Sequence, residues 1–305
     1  MCACSDQLLK TDSTFILSSV TTSLIINADD FGFSTGITDG IIAAHRHGIL
    51  TSTTLMTNMP DAPRAIALAR ENPDLGVGIH LGLTQGRPLA PDLRSLVDEQ
   101  GNFCRSLPTL LAKVSLSRRA RYEVQKEWTA QIEFAFDHKL IPTHLDSHKH
   151  IHHWPPLAEI AIALSRYYNI RFIRCAREIP IPGYKTTPAY TILARMAARL
   201  QPKILAAGCC TTDWFFGLSA TGNMSIQTWH SLLHHLPPGT GEVMVHPGNP
   251  VALTRQDTRL LVERSLEQDA LVDAAVKAQC TILGVKLIHY GNCEGAAKHS
   301  LTNVE

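Results

Sequence analysis

The sequence predicts an α/β protein folded as a single (β/α) TIM-like barrel, with about seven parallel strands and helices outside them. Three observations predict it. Apolar runs of strand length alternate with helical stretches from residue 23 to about residue 290, and that alternation builds a parallel sheet covered by helices. Seven or so such units over about 270 residues suit a barrel better than the alternative, an open doubly wound sheet. Polar clusters follow four of the apolar runs, and a parallel barrel brings its C-terminal strand ends together on one face.

Residues 23–30, SLIINADD, read as a buried strand ending in charge. Ser34 offers an N-cap for a helix over 35–47 that Gly48 closes. Strands are predicted at 52–58 and 75–84, with a helix at 61–72 between them. The stretch 85–117 holds Pro88, Pro91 and Pro108 and reads as a long irregular segment. A helix at 118–137 leads to PTHLDSHKH, read as extended over 143–150. A helix at 155–167, a strand at 171–176, a helix at 188–207 and the segment TDWFFG follow. The pattern ends with a helix at 225–235, a strand at 242–248, a long helix at 255–279 and an apolar run at 285–290. The predicted domain spans 23–291, with a poorly ordered extension at 1–22 and a tail at 292–305.

Composition narrows the function classes. The chain has 305 residues, 45% hydrophobic and 18% charged, with a net charge of +1, as a soluble globular protein has. No basic stripe marks a nucleic-acid surface. No run reaches the roughly 18 apolar residues of a membrane span. The first 22 residues carry Asp6 and Asp12 and an interrupted apolar stretch, which fits no signal peptide. Eight scattered cysteines suggest a reducing compartment, read as cytoplasmic. The helix at 188–207 sets Leu193, Met196, Leu200 and Ile204 against Arg195, Arg199 and Lys203; it reads as a core helix, with peripheral membrane contact as the second reading. A homo-oligomer is compatible with all of this.

The chemistry-bearing residues are concentrated. Five of the 15 histidines lie in THLDSHKHIHHWP, residues 143–155. If 143–150 is extended, His144, Asp146, His148 and His150 share one face, and a buried face with four ionisable groups needs a partner such as a cation. Candidate ligands are Asp29 or Asp30, His80, and one or both of His144 and His148. Two imidazoles and a carboxylate with open positions form a catalytic metal arrangement. Taken singly, Asp29–Asp30 could cap a turn, His80 could be a core histidine and His246 a turn residue. His152 and His153 lie past the predicted strand end and read as dispensable surface residues.

NADDFGFSTGITDGI, GILTSTTLM, VGIHLGLTQGRPL, PTHLDSHKHIH and EVMVHPG together resemble the YdjC-like carbohydrate deacetylase family, which includes chitooligosaccharide deacetylases and a hopanoid-associated branch. The resemblance covers roughly residues 24–250. It implies a (β/α) barrel and a divalent metal, magnesium, held by Asp30, His80 and His148, with Asp29 as general base and His246 as proton donor. Ligand softness favours zinc, manganese, nickel or cobalt instead. Asp146 is expected to orient a ligand imidazole; Arg174, at the end of the fifth strand, is expected to steady Asp29, contact substrate or form a structural ion pair. The implied reaction removes acetyl from an amino sugar, small or lipid-linked. The alternatives are a non-catalytic sugar-binding protein on this fold and a metal-dependent phosphoesterase.

Overall fold

The computed structural model describes residues 22–184 and 187–293. Thr22 opens the first strand; the rest of the expected extension, and the tail beyond Cys293, lie outside the described residues. Seven strands, β1 (Thr22–Phe31), β2 (Ser52–Leu55), β3 (Gly76–Leu81), β4 (His144–Ser147), β5 (Phe172–Ile173), β6 (Trp214–Phe216) and β7 (Gly239–Val245), pair in parallel in the order β5-β4-β3-β2-β1-β7-β6. Parallel bridges Phe172↔Cys210 and Glu178↔Phe215 join the two outer edges, so the sheet curls into a barrel whose seam runs between β5 and β6. A short β8 (Lys286–Leu287) pairs with the start of β1.

Side-chain alternation divides each strand between two environments. Leu24, Ile26 and Ala28 of β1 join the outer apolar layer under α1 (Thr35–His47) and α2 (Ala62–Arg70). Ile25 points inward with Phe172 and Tyr290, and above it come Asn27 and Asp29. Gly78 on β3 faces the same interior, where a Cβ would sit 2.5 Å from the His144 ring. A glycine there is what admits an imidazole that stacks on Tyr290, ring centroids 3.8 Å apart.

Three expectations are corrected. The irregular stretch 85–117 contains a helix, α3 (Leu107–Leu116), before α4 (Arg118–Asp137). The long helix at 255–279 is two, α8 (Val262–Val272) and α9 (Ala274–Ile282), divided where Asp273 is extended and its side chain caps α9. The extended run 143–150 stops at Ser147: residues 148–153 form a tight turn in which Lys149 and His150 are left-handed, with φ of 58° and 54°. The remaining helices are α5 (Pro155–Tyr167), α6 (Pro188–Ala206) and α7 (Ile226–Leu233). No helix among the described residues is long and apolar enough to cross a membrane.

Candidate metal centre and active site

Adjacent residues of a strand point to opposite faces, so Asp29 and Asp30 could not share a site on a regular β1. The pairing of β1 with β2 breaks between Ala28 and Phe31, and Asp30 takes φ 71°. A left-handed aspartate is an uncommon, strained conformation of the kind that collects at functional sites. It turns both carboxylates to one cavity: His80 Nε2 lies 4.0 Å from Asp29 Oδ2 and 3.6 Å from Asp30 Oδ1.

His80, at the end of β3, is oriented from behind. Its Nδ1 lies 2.7 Å from Asp146 Oδ1 on β4, and Thr54 Oγ1 donates to Asp146 Oδ2 at 3.2 Å. Asp146 holds Nδ1, so Nε2 is the nitrogen that faces the aspartates, the carboxylate–histidine arrangement that supports metal ligands. His148 arrives by the turn after β4, its Nδ1 3.4 Å from Asp30 Oδ1. The donor atoms of Asp30, His80 and His148 all lie within 4.8 Å of one another. One carboxylate oxygen and two imidazole nitrogens so disposed fit a divalent cation.

A second grouping, Asp29, His80 and Asp146, also falls within that distance. Its positive charge is already present. Arg174 donates to both oxygens of Asp29, at 2.9 and 2.7 Å, and lies 2.6 Å from Asp146 and 2.7 Å from Glu242. Tyr290 donates to the other Glu242 oxygen at 2.5 Å. Arg174 has no exposed surface, so it steadies Asp29 and does not reach substrate.

Electrostatics sort the carboxylates and imidazoles. Burial pushes Asp29 upward, but Arg174 and then His80 outweigh it and hold it well below the usual carboxylate range. Asp30 is likewise held low, burial opposing and Arg264 and His148 prevailing. Burial disfavours a charged His80, yet Asp146 and Asp29 push its pKa up to about 9. The centre therefore favours positive charge. Burial lowers His148 and takes His246, just past β7, down to about 4.

His246 is placed by close backbone contact. Asn249 N–H donates to Gly36 O at 3.0 Å, and a Cβ on Gly36 would meet Asn249 O at 2.2 Å. The small face of TGITDG thus lets the VHPGN turn lie against α1.

The histidine run separates into roles that parity did not predict. His144 lies on the interior face below the centre, packed on Tyr290, and is not among the clustered donors. His150 lines the cavity edge-on to Phe215. His152 and His153 are buried, which overturns their reading as surface residues. His152 bonds Ser147 Oγ and the Arg174 carbonyl; His153 Nε2 accepts from Ala176 N–H at 3.0 Å. They pin the turn carrying His148 to the segment carrying Arg174.

Sequence reasoning missed Arg264 and Glu267. Arg264 Nη2 donates to Asp30 Oδ2 at 2.5 Å, leaving Oδ1 to face the imidazoles. Glu267 accepts from the backbone N–H of His246 at 2.5 Å and of Gly222 at 2.7 Å, and burial raises its pKa to about 7. The signal was available: both occupy the buried stripe of α8 beside Ala270 and Leu271, where charge needs a partner. The whole centre opens into a cavity of about 1040 Å³.

The profile of the YdjC-like protein family matches residues 23–281, from β1 into α9. The carbohydrate deacetylase of Geobacillus stearothermophilus is 36% identical over 269 residues, covering 87% of this chain and 96% of that protein. The carbohydrate deacetylase of Halalkalibacterium halodurans is 33% identical over 262 residues, covering 85% and 99%. A crystal structure from Enterococcus faecalis V583, assigned to cellobiose-phosphate cleavage, superposes with a TM-score of 0.70 at 27% identity and covers 91% of this chain and all of that one. The elements that converge on the acidic and imidazole centre are those spanned by these matches, and the chain belongs to the YdjC-like family.

Proposed function

We propose that the protein is a carbohydrate deacetylase that hydrolyses the acetamide of an N-acetylated amino sugar, with Asp30, His80 and His148 holding a divalent metal. The observation that carries this reading is the placement of those three donors beside an Asp29 kept ionised by Arg174, in one cavity, in a chain whose relatives are named carbohydrate deacetylases. A cation bound there supplies a Lewis acid for the acetyl oxygen and lowers the pKa of a water.

The protein's own groups do the rest. Asp29 takes a proton from the attacking water. Its bidentate hold by Arg174 lowers its basicity but keeps it charged and aimed, so it suits a water that is already acidified. Water oxygen adds to the acetyl carbon, the C–N bond breaks, and acetate and a free amine leave. The amine needs a proton, and His246 is the donor. Its pKa of about 4 leaves it neutral at rest, so the proton Asp29 takes from the water passes to His246 and from there to the amine, which closes the proton count. Magnesium is the metal by family resemblance, while two imidazoles suit a softer ion.

The test is acetate release from diacetylchitobiose, N-acetylglucosamine and a glycolipid bearing N-acetylglucosamine, before and after chelation and with each metal restored. Release that stops on chelation and returns with one ion supports the reading. No metal-dependent release from any of the three overturns it, and tight sugar binding without product would then assign a binding protein.

A further inference from the structure

The geometry points to His150 as a substrate-binding residue, a neutral ring that the turn after β4 holds into the cavity to donate a hydrogen bond to a hydroxyl oxygen of the sugar. This deepens the deacetylase reading and rests on it for the ligand being a sugar.

Three imidazoles carry a buried nitrogen with no hydrogen-bond partner among the described residues: His144, His150 and His246. His144 is packed on Tyr290 below the centre, and His246 is the proton donor proposed above. His150 lines the cavity and serves neither purpose, and it is not among the clustered metal donors.

The backbone is bent to put this ring where it is. Lys149 and His150 are left-handed, with φ of 58° and 54°. Glycine takes that conformation freely and histidine does not, so a position that served the turn alone would suit glycine. Strain of this kind persists where the side chain is needed. The turn is anchored beneath the ring. His153 Nε2 accepts from Ala176 N–H, so its Nδ1 carries the proton and donates to the His150 carbonyl at 3.2 Å. The ring is steadied at its edges, T-shaped to Phe215 with centroids 6.3 Å apart and to His153 at 6.1 Å. Phe215 also carries the Arg174 guanidinium, 5.6 Å from its centroid, and Arg174 holds Asp29. The turn therefore sends its imidazoles toward different carboxylates, His148 to Asp30 and His150 to the Arg174–Asp29 pair.

The carboxylate contacts of His80, His148 and His246 have no counterpart at His150 among the described residues. A buried ring without a carboxylate, near the Arg174 charge, stays neutral. A neutral imidazole has one N–H. Nδ1 is buried with nothing to accept from it, and an orphaned N–H is rarer than a bare acceptor. The proton therefore sits on Nε2, which is left to meet a ligand in the cavity. A hydroxyl of a sugar whose acetamide lies at Asp29 is a fitting acceptor.

The experiment uses the metal-loaded enzyme with diacetylchitobiose and its analogues that lack one ring hydroxyl at a time. His150→Ala is expected to keep its metal and most of its kcat and to raise KM about tenfold, the upper worth of one neutral hydrogen bond. One analogue should lose about the same factor with the wild type and lose nothing further with His150→Ala. His150→Asn keeps an N–H donor on a residue that tolerates the left-handed region, and should recover part of the loss. His150→Gly relaxes the backbone but has no donor, and should not recover it. Wild-type KM in His150→Gly would overturn the inference, because the ring would then only shape the turn. So would loss of metal by His150→Ala, a fall in kcat alone, or an equal effect on every analogue. If diacetylchitobiose binds but releases no acetate, the deacetylase reading fails, and the same comparison in Kd by calorimetry decides for His150. Neither binding nor turnover would remove both.

Discussion

Asp29 and Asp30 are chemically identical neighbours given different work by their partners. Arg174 takes both oxygens of Asp29, whereas Arg264 takes one oxygen of Asp30 and leaves the other to His80 and His148. Asp30→Asn is expected to lose metal and activity together. Asp29→Asn should keep the metal and lose rate by about 10²–10⁴-fold, the usual worth of a general base. Metal stoichiometry beside kcat checks both, and the opposite pattern would exchange the two roles. His153 makes the fold acid-sensitive. Burial lowers its pKa from 6.5 to about 4, so between those values the unfolded chain binds a proton that the folded one does not. Its contribution is present above pH 6.5 and is lost as pH falls through 4. The shift corresponds to about 3 kcal/mol. Urea unfolding between pH 7 and pH 4 should show a shallower decline for His153→Gln than for the wild type.

At the scale of elements, α8 acts as a clamp. Arg264 and Glu267, three residues apart on one stripe, hold Asp30 and the His246 backbone. Arg264→Gln is expected to weaken manganese binding by about 10–100-fold in calorimetry, the usual cost of losing a ligand's supporting partner. Arg264→Lys should fall between it and the wild type, keeping the charge without the fork. Unchanged affinity would show that the clamp is structural only. The close contact of α1 with the VHPGN turn gives a second expectation. Gly36→Ala should cost about 1–3 kcal/mol in unfolding free energy, as overpacking does, and should reduce kcat by shifting His246. Helix positions were partly legible. α3 was missed because Pro108 reads as a breaker, whereas it sits in the first helical turn behind the Ser106 cap, where its missing N–H costs nothing. The α8–α9 break was hidden because the apolar period continues past Asp273.

At the scale of the molecule, the barrel interior is layered from apolar to charged. Ile25, Phe172 and Tyr290 form the base; Arg174, Asp146 and Glu242 form a paired middle; Asp29, Asp30, His80 and His246 form the top. Asp30, His80 and His148, the proposed metal donors, come from β1, β3 and the turn after β4, so the unfolded chain has no such site. A metal held there would therefore stabilise the fold. At about 100 times its Kd, a bound ion contributes about 2.7 kcal/mol. Chelation should lower Tm by several degrees in the wild type and much less in His148→Ala. Equal shifts in both proteins would count against His148 as a ligand.

The sequence by itself determined the strand–helix alternation, the ends of most helices and the clusters that meet at the mouth of the barrel. These follow from side-chain periodicity, caps and turns, which act over a few residues. That Asp29, Asp30, His80, His148 and His246 would meet in one cavity was legible for the same reason, each lying at or just past a strand end. Tertiary structure alone decided which histidines of one run face the carboxylates, stack in the interior or staple the turn, because left-handed Lys149 and His150 end the extended parity after Ser147. It also decided that Arg264 would serve Asp30 from 234 positions away. Such a pairing depends on how α8 packs against the barrel, and no local pattern carries that distance.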